Sequence, residues 1–235
     1  MCDLENCDPN DVSRPSVSAT DRRLFLAGAL ALPLATILAN VELAEAQAAK
    51  GVSINQSTAD GRTVSAYFAE ADKKDAPVVI LIHEWWGLND NIKTMAEDIR
   101  AKGFHAIAID LFNGSVATNR DEAKTQTKAV KASEANATIA AWVDWAKANG
   151  NGKVATLGWC FGGGWSLSAA LNTKLDAAVI YYGRVTANAD SLKKLNAPLL
   201  GHFGTLDKSI NPEIVGAFQK NLAQAGKSDL MTTHW

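Results

Sequence analysis

The chain has 235 residues, 47% of them apolar and 20% charged, with a formal net charge of -2. That balance can fill a buried core and excludes a disordered chain, and the length suits one α/β domain plus an appendage better than two full domains. With 23 basic against 25 acidic side chains there is no surplus of positive charge to displace counterions from a phosphate backbone, which excludes nucleic acid as a partner. The three cysteines, Cys2, Cys7 and Cys160, are too few and too scattered for a disulfide framework or a four-ligand zinc site. No cofactor or metal is expected.

In chain order, the first shift in composition is Arg22-Arg23-Leu24-Phe25-Leu26, then an apolar run to about Val41 broken by Pro33, then Ala46-Gln47-Ala48. A charged start, an apolar centre and a small-x-small end are the three parts of an export signal. The paired arginines with Phe and Leu behind them resemble the twin-arginine signal, whose pathway exports folded proteins. Residues 1–48 are therefore expected to be a signal peptide, residues 49–235 the mature domain, and its location periplasmic or secreted. The alternative is an uncleaved anchor, since the run from Leu24 to Val41 approaches the length of a spanning helix. Pro33, Asn40 and the Ala-x-Ala argue against it, so no stable membrane insertion is expected after cleavage. Cleavage would remove Cys2 and Cys7 and leave Cys160 alone in an oxidising compartment, where structural cysteines come in pairs.

From Gly51 to Phe68 two alternating stretches flank Asp60-Gly61, a turn dipeptide that favours positive φ, which predicts a leading β-hairpin at the sheet edge. Unbroken apolar runs then recur at Val78 to Ile82, Phe104 to Ile109, Val154 to Leu157, Ala177 to Tyr182 and Leu199 to Phe203. Continuous apolarity marks strands covered on both faces. Helical patterns lie between them, at Ile92 to Lys102, Asp121 to Asn149, Gly163 to Asn172 and Pro212 to Ala225. Strand alternating with helix gives a doubly wound, mostly parallel α/β sheet with helices on both faces. Trp142 and Trp145 stand three apart on the long helix, a spacing that serves packing on a sheet, and Lys124, Lys128 and Lys131 form its solvated face.

The most informative stretch is Gly158-Trp159-Cys160-Phe161-Gly162-Gly163, a buried strand running into a helix with cysteine at the bend. At a G-x-C-x-G elbow the central residue is forced into a strained conformation, and glycines two positions away avoid collision with strand and helix. The bend lifts the sulfur out of the sheet and turns the Phe161 amide toward a developing oxyanion, while the positive helix end favours thiolate. The bland alternative is that Cys160 is a small buried hydrophobe. A second oxyanion amide is expected from the loop His83-Glu84-Trp85-Trp86-Gly87 after an earlier strand.

His-Glu-Trp-Trp-Gly-Leu-Asn after this strand, Ala-Ile-Asp110-Leu-Phe after the next, the Cys160 elbow, Tyr181-Tyr182-Gly183 and His-Phe-Gly-Thr-Leu-Asp207 together resemble the dienelactone hydrolase family, over about Val52 to Asp229. The resemblance implies an α/β-hydrolase fold with a Cys, Asp, His triad and a carboxymethylenebutenolidase-like activity. On the matching motifs Cys160 is the nucleophile, Asp207 the residue that orients the base, Glu84 the carboxylate that helps form the thiolate, and Trp85 N–H the oxyanion donor beside Phe161 N–H. Trp86, Trp159 and Tyr182, in or beside the motifs, are expected to line the substrate cleft, and the tryptophans there favour apolar or aromatic acyl groups. Read alone, Glu84 would be a surface carboxylate and Asp207 a turn or cap residue.

The general base departs from the family pattern. Of the four histidines only His234 follows Asp207, and it stands next to last, where the family has His-x-Phe and a further helix. Either His234 supplies the imidazole, or the chain is truncated and its base is absent. The arginine that family members carry behind Asp-Leu-Tyr is also missing: Asp110-Leu-Phe leads to Asn113-Gly114, with Arg120 further on, so dienelactone itself is not implied. The expectation is a cofactor-free, monomeric hydrolase that cleaves a small ester or lactone through an acyl-enzyme on Cys160. The rival is an impaired protein of the same fold that binds a small apolar ligand without turning it over.

Overall fold

The computed structural model describes residues 50–235, and the export signal read in residues 1–48 lies outside the described residues. The strands are β1 (Val52–Ser57), β2 (Thr63–Ala69), β3 (Val78–Ile82), β4 (His105–Ile109), β5 (Val154–Trp159), β6 (Ala177–Tyr181), β7 (Leu199–His202) and β8 (Met231–His234). The helices are α1 (Asp90–Ala101), α2 (Arg120–Ala129), α3 (Ala132–Asn149), α4 (Phe161–Asn172), the short α5 (Ala189–Leu192) and α6 (Pro212–Gln224). Among the described residues one sheet forms, ordered β1-β2-β4-β3-β5-β6-β7-β8. The β1–β2 and β2–β4 pairs are antiparallel and the rest parallel. The expected hairpin is the sheet edge, and Gly61 in its turn has φ 82°, which a side chain would disfavour.

The continuous apolar runs have the predicted cause. On one face Ile80 and Ile82 of β3 pack with Ile107 and Ile109 of β4 against Ile139, Trp142 and Val143 of α3. On the other face Leu81, Ala106 and Ala108 pack against Ile92 and Ala96 of α1. Strands sandwiched in this way have no polar side, and each fully buried aliphatic side chain contributes about 1.5–3 kcal/mol by leaving water. Further along the first face, Ile180 and Leu199 meet Leu167 and Ala170 of α4 and Val215 and Phe218 of α6. Trp142 is fully buried with Trp145 edge-on to it at 6.0 Å, as packing on a sheet requires.

The single helix predicted over Asp121 to Asn149 is two, because Val130 (φ -68°, ψ 120°) and Lys131 are extended. The reason is tertiary. Helix α3 buries six residues against the sheet, whereas α2 buries only Ala123 and turns toward the β3 loop, where Gln126 Nε2 donates to Trp85 O at 2.7 Å.

Helices α1, α2, α5 and α6 begin on an asparagine whose side chain accepts a first-turn N–H, which satisfies one orphan donor of each. Helix α4 has no such cap. It begins on Cys160, which makes no side-chain capping bond, and Gly163 and Gly164 N–H turn back to Cys160 O at 3.1 and 3.4 Å. Among the described residues no helix is long and apolar enough to cross a membrane.

Candidate active site

Cys160 has φ 53° and ψ -114°, the strained bend expected of the elbow. A non-glycine residue there costs on the order of 1–3 kcal/mol and persists only where the surroundings over-determine it. Those surroundings are backbone. A Cβ on Gly158 would collide with Gly162 O, and one on Gly162 with the carbonyls of Ile82 and His83. A Cβ on Gly163 would come within 2.7 Å of Gly183 Cα. The start of α4 is thus wedged between the ends of β3 and β6, and Cys160 N–H is tied to Tyr181 O at 2.9 Å.

The loop after β3 is held by a buried histidine. The Leu111 N–H donates to His83 Nε2 at 3.1 Å, and His83 Nδ1 lies 2.6 Å from Glu84 O. An Nε2 that accepts leaves the proton on Nδ1 for Glu84 O, and burial holds the ring pKa low, in favour of this neutral form. The His83 ring also stacks on Phe161, 5.9 Å between centroids. One side chain therefore joins the β3 loop, the β4 loop and the first residue of α4. Asp110 completes the β4 loop by accepting from Phe112 N–H at 2.8 Å and from Gly114 N–H. Trp85 N–H donates to no described residue.

Three influences act on the thiol. Burial raises its pKa and the Glu84 and Asp207 carboxylates raise it further, while the Phe161 N–H bond to the sulfur lowers it. The rise wins, so the resting group is a thiol. Glu84 is one of the two carboxylates that act on the thiol. Its Oε1 accepts from Tyr182 Oη at 3.0 Å, and burial followed by the negative charge of Glu84 pushes the Tyr182 pKa up, which keeps that hydroxyl a donor. Tyr182, expected in the cleft wall, thus holds the carboxylate. It stands on its own bend, at φ 39°.

The β7 and β8 end is arranged differently. Asp207 Oδ1 accepts from Ser209 N–H at 2.7 Å and Ile210 N–H at 3.0 Å, and these two donors hold its pKa low. His234 is the last residue of β8 and pairs in register with His202. Its ring stacks on His202 at 5.1 Å, His202 on Tyr181 at 4.5 Å, and Tyr181 on Trp159 at 6.1 Å. His234 is therefore three strand spacings from β5, roughly 14 Å, and no hydrogen bond joins it to Asp207 or Cys160 among the described residues. Trp159 belongs to the same ladder and packs toward the α1 side, away from the cleft wall where it was expected. Trp86 sits edge-on to Trp85 at 5.1 Å. The remaining histidine, His105, is structural, accepting from Ala71 N–H at 3.1 Å with Nδ1 and bonding Lys74 O at 2.8 Å with Nε2.

Cys160 reaches solvent through a cavity of about 580 Å³ whose walls include Trp85, Phe161, Trp165, Leu171 and Arg184. Leu171 and Arg184 had no signal in the sequence, because they join the wall of this cavity only through the packing of α4 against the loop after β6. His83 lacked one too, since its partner Leu111 is 28 residues away. No three or more His, Cys, Asp or Glu side chains among the described residues are grouped to hold a metal ion.

The sequence profile of the dienelactone hydrolase family matches residues 64–233. The chain belongs to the dienelactone hydrolase family. Among similar proteins, one of Escherichia coli (strain K12) assigned as a carboxymethylenebutenolidase is 31% identical over 185 residues, 70% of this chain and 68% of that one. Carboxymethylenebutenolidase 1 of Cupriavidus pinatubonensis is 23% identical over 197 residues, 79% of this chain and 82% of its own. The crystal structure of a Klebsiella pneumoniae protein assigned as a dienelactone hydrolase superposes with a TM-score of 0.69 at 23% identity, covering 79% of this chain and 85% of that one. An esterase of Pyrococcus furiosus superposes at 0.58 with 13% identity, covering 79% and 81%. The fold is the α/β-hydrolase fold, and membership of the family makes the chain a hydrolase of the ester- and lactone-cleaving kind.

Proposed function

We propose that this dienelactone hydrolase family member cleaves an ester or lactone by covalent catalysis on Cys160, acting as a monomer on a small molecule. The observation that carries the reading is the strained, exposed Cys160 at the uncapped start of α4. The thiol proton passes to Glu84 as the sulfur attacks the carbonyl carbon, and Phe161 and Trp85 N–H groups receive the charge on its oxygen. The C–O bond then breaks, the alcohol leaves with the proton returned from Glu84, and a thioester remains on Cys160. Water hydrolyses the thioester, releasing the acid and restoring the thiol. Tyr182 orients Glu84, and Asp207 is the candidate orienter of a base.

The test is intact-mass spectrometry during hydrolysis of para-nitrophenyl acetate. A transient acetyl adduct is expected on the native protein and none on Cys160→Ala. Undiminished turnover by Cys160→Ala would overturn the reading. A second reading, capture of an apolar ligand without turnover, draws support from His234, whose ring is spent on His202 and not on Asp207. An adduct that forms but never clears, or ligand binding that survives Cys160→Ala, decides for it. Export through the twin-arginine segment belongs to the same proposal: Arg22→Lys with Arg23→Lys is expected to retain the precursor in the cytoplasm on cell fractionation.

A further inference from the structure

The cavity at Cys160 is elongated along α4. Gly164, Ser168 and Leu171 stand four and three residues apart and all line it, so they form one stripe of the helix. From Cys160 to Leu171 that stripe runs about 16 Å at 1.5 Å per residue. Thr127 of α2 and residues Arg184 and Ala187 of the loop after β6 close the other side. At the near end a Cβ on Gly164 would stand in ordinary contact with Arg184 Cβ, at 3.4 Å. Arg184 Nε donates to Thr186 Oγ1 at 3.1 Å, which ties the charged head to the loop and leaves the methylene stem as wall.

Two properties select the occupant. Most of the lining is apolar, with Trp85, Phe161, Trp165 and Leu171 contributing the largest side chains, so the groove favours a ligand that buries methylenes. It also begins at the sulfur, beside the Phe161 and Trp85 N–H groups. A chain bonded to a carbonyl under attack at the sulfur has this groove to lie along.

We infer that the groove along α4 is an acyl-chain subsite, and that the substrates are esters of extended, unbranched apolar acids. The carbonyl sits at Cys160 and the chain lies between α4 and the Thr127 and Ala187 side, toward Leu171. A compact lactone would leave most of that length empty. The inference rests on Cys160 as nucleophile and adds the acyl group that the site takes.

The experiment uses the full chain and two series of probes. N-alkyl iodoacetamides, methyl to octyl, label Cys160 without turnover: the sulfur displaces iodide and the thiol proton goes to buffer. Para-nitrophenyl esters, acetate to octanoate, report hydrolysis as kcat/KM. Both rates are expected to rise about two- to fourfold per methylene until the groove is filled. Leu171→Asp is expected to cut the octyl-to-methyl and octanoate-to-acetate ratios by about tenfold or more by placing a charge at the far end, while Leu171→Ile retains them. Should Leu171→Asp not fold, Thr127→Trp narrows the same stretch and is read by the same ratios. A flat series with Cys160-dependent hydrolysis, or ratios that neither variant moves, would overturn the groove alone. A steep labelling series without any hydrolysis would support the groove and overturn the hydrolase reading alone.

Discussion

The ends of β5 and β6 carry two bends of one kind with different products. Cys160 at φ 53° and Tyr182 at φ 39° both hold positive φ without being glycine. Each ties its N–H to the neighbouring strand, Cys160 to Tyr181 O at 2.9 Å and Tyr182 to His202 O at 2.7 Å. Both lean on the seam where Gly163 and Gly183 touch. What differs is the element that follows. Helix α4 starts directly after Cys160, so the positive end of that helix lies at the sulfur-bearing residue. No helix starts after Tyr182 until α5, so that bend delivers a hydroxyl to Glu84 and no donor cluster. Strain at a strand end is therefore not in itself a catalytic feature; its chemistry is set by whether a helix terminus is aimed at the strained side chain.

The comparison can be broken most directly at the first bend. Cys160→Gly removes both the sulfur and the strain, so hydrolysis is expected to fall by about ten-thousand-fold or more while stability rises by about 1 kcal/mol. Paired activity and thermal unfolding measurements check this, and a Tm below that of the native protein would mean that the bend is not strained. Next in size is Gly162→Ala, whose Cβ meets the Ile82 and His83 carbonyls. A loss of about 3 kcal/mol in urea unfolding is expected, against a gain of about 0.5–1 kcal/mol for Gly216→Ala, which lies inside α6 where a Cβ meets nothing.

Glu84→Gln sharpens the link between the bends. The Glu84 carboxylate is one of the charges that hold the thiol pKa up, and the reactive thiolate is lost as pH falls through that value. Removing the charge stabilises thiolate, so the pH of half-maximal iodoacetamide labelling is expected to move down. Ester hydrolysis should fall at the same time, because the proton acceptor is gone. Faster labelling together with slower hydrolysis is an outcome that mere structural damage does not produce. The smallest effect is expected from His234→Ala, under about threefold in kcat/KM, because its ring is roughly three strand spacings from β5. A loss of a hundredfold or more would show that His234 leaves the ladder during turnover.

Legibility followed distance along the chain. The G-x-C-x-G elbow could be read because its glycines, the strand before it and the helix after it lie within a few residues of the sulfur, and the same holds for the Asp60-Gly61 hairpin. Strands β3 and β4 were legible because burial on both faces erases alternation. The break at Val130 was not, since it serves the contact of Gln126 with Trp85, 41 residues away. Trp159 was misplaced because the residue before an elbow alternates to the other face of the sheet, which motif proximity ignores. Asp207 could be identified by motif, but its partners Ser209 and Ile210 are those of a turn residue.

By itself the amino-acid sequence determined the fold class, the family and the position of the strained bend at Cys160, since these depend on local periodicity and on glycines that spare backbone collisions. Only the tertiary structure decided which groups meet that sulfur: His83 pinning the β3 loop, Tyr182 holding Glu84, the groove opening along α4, and His234 stacked on His202 beyond reach. Those outcomes depend on strand register and on which face of a helix meets which loop, and short-range patterns in a chain carry neither.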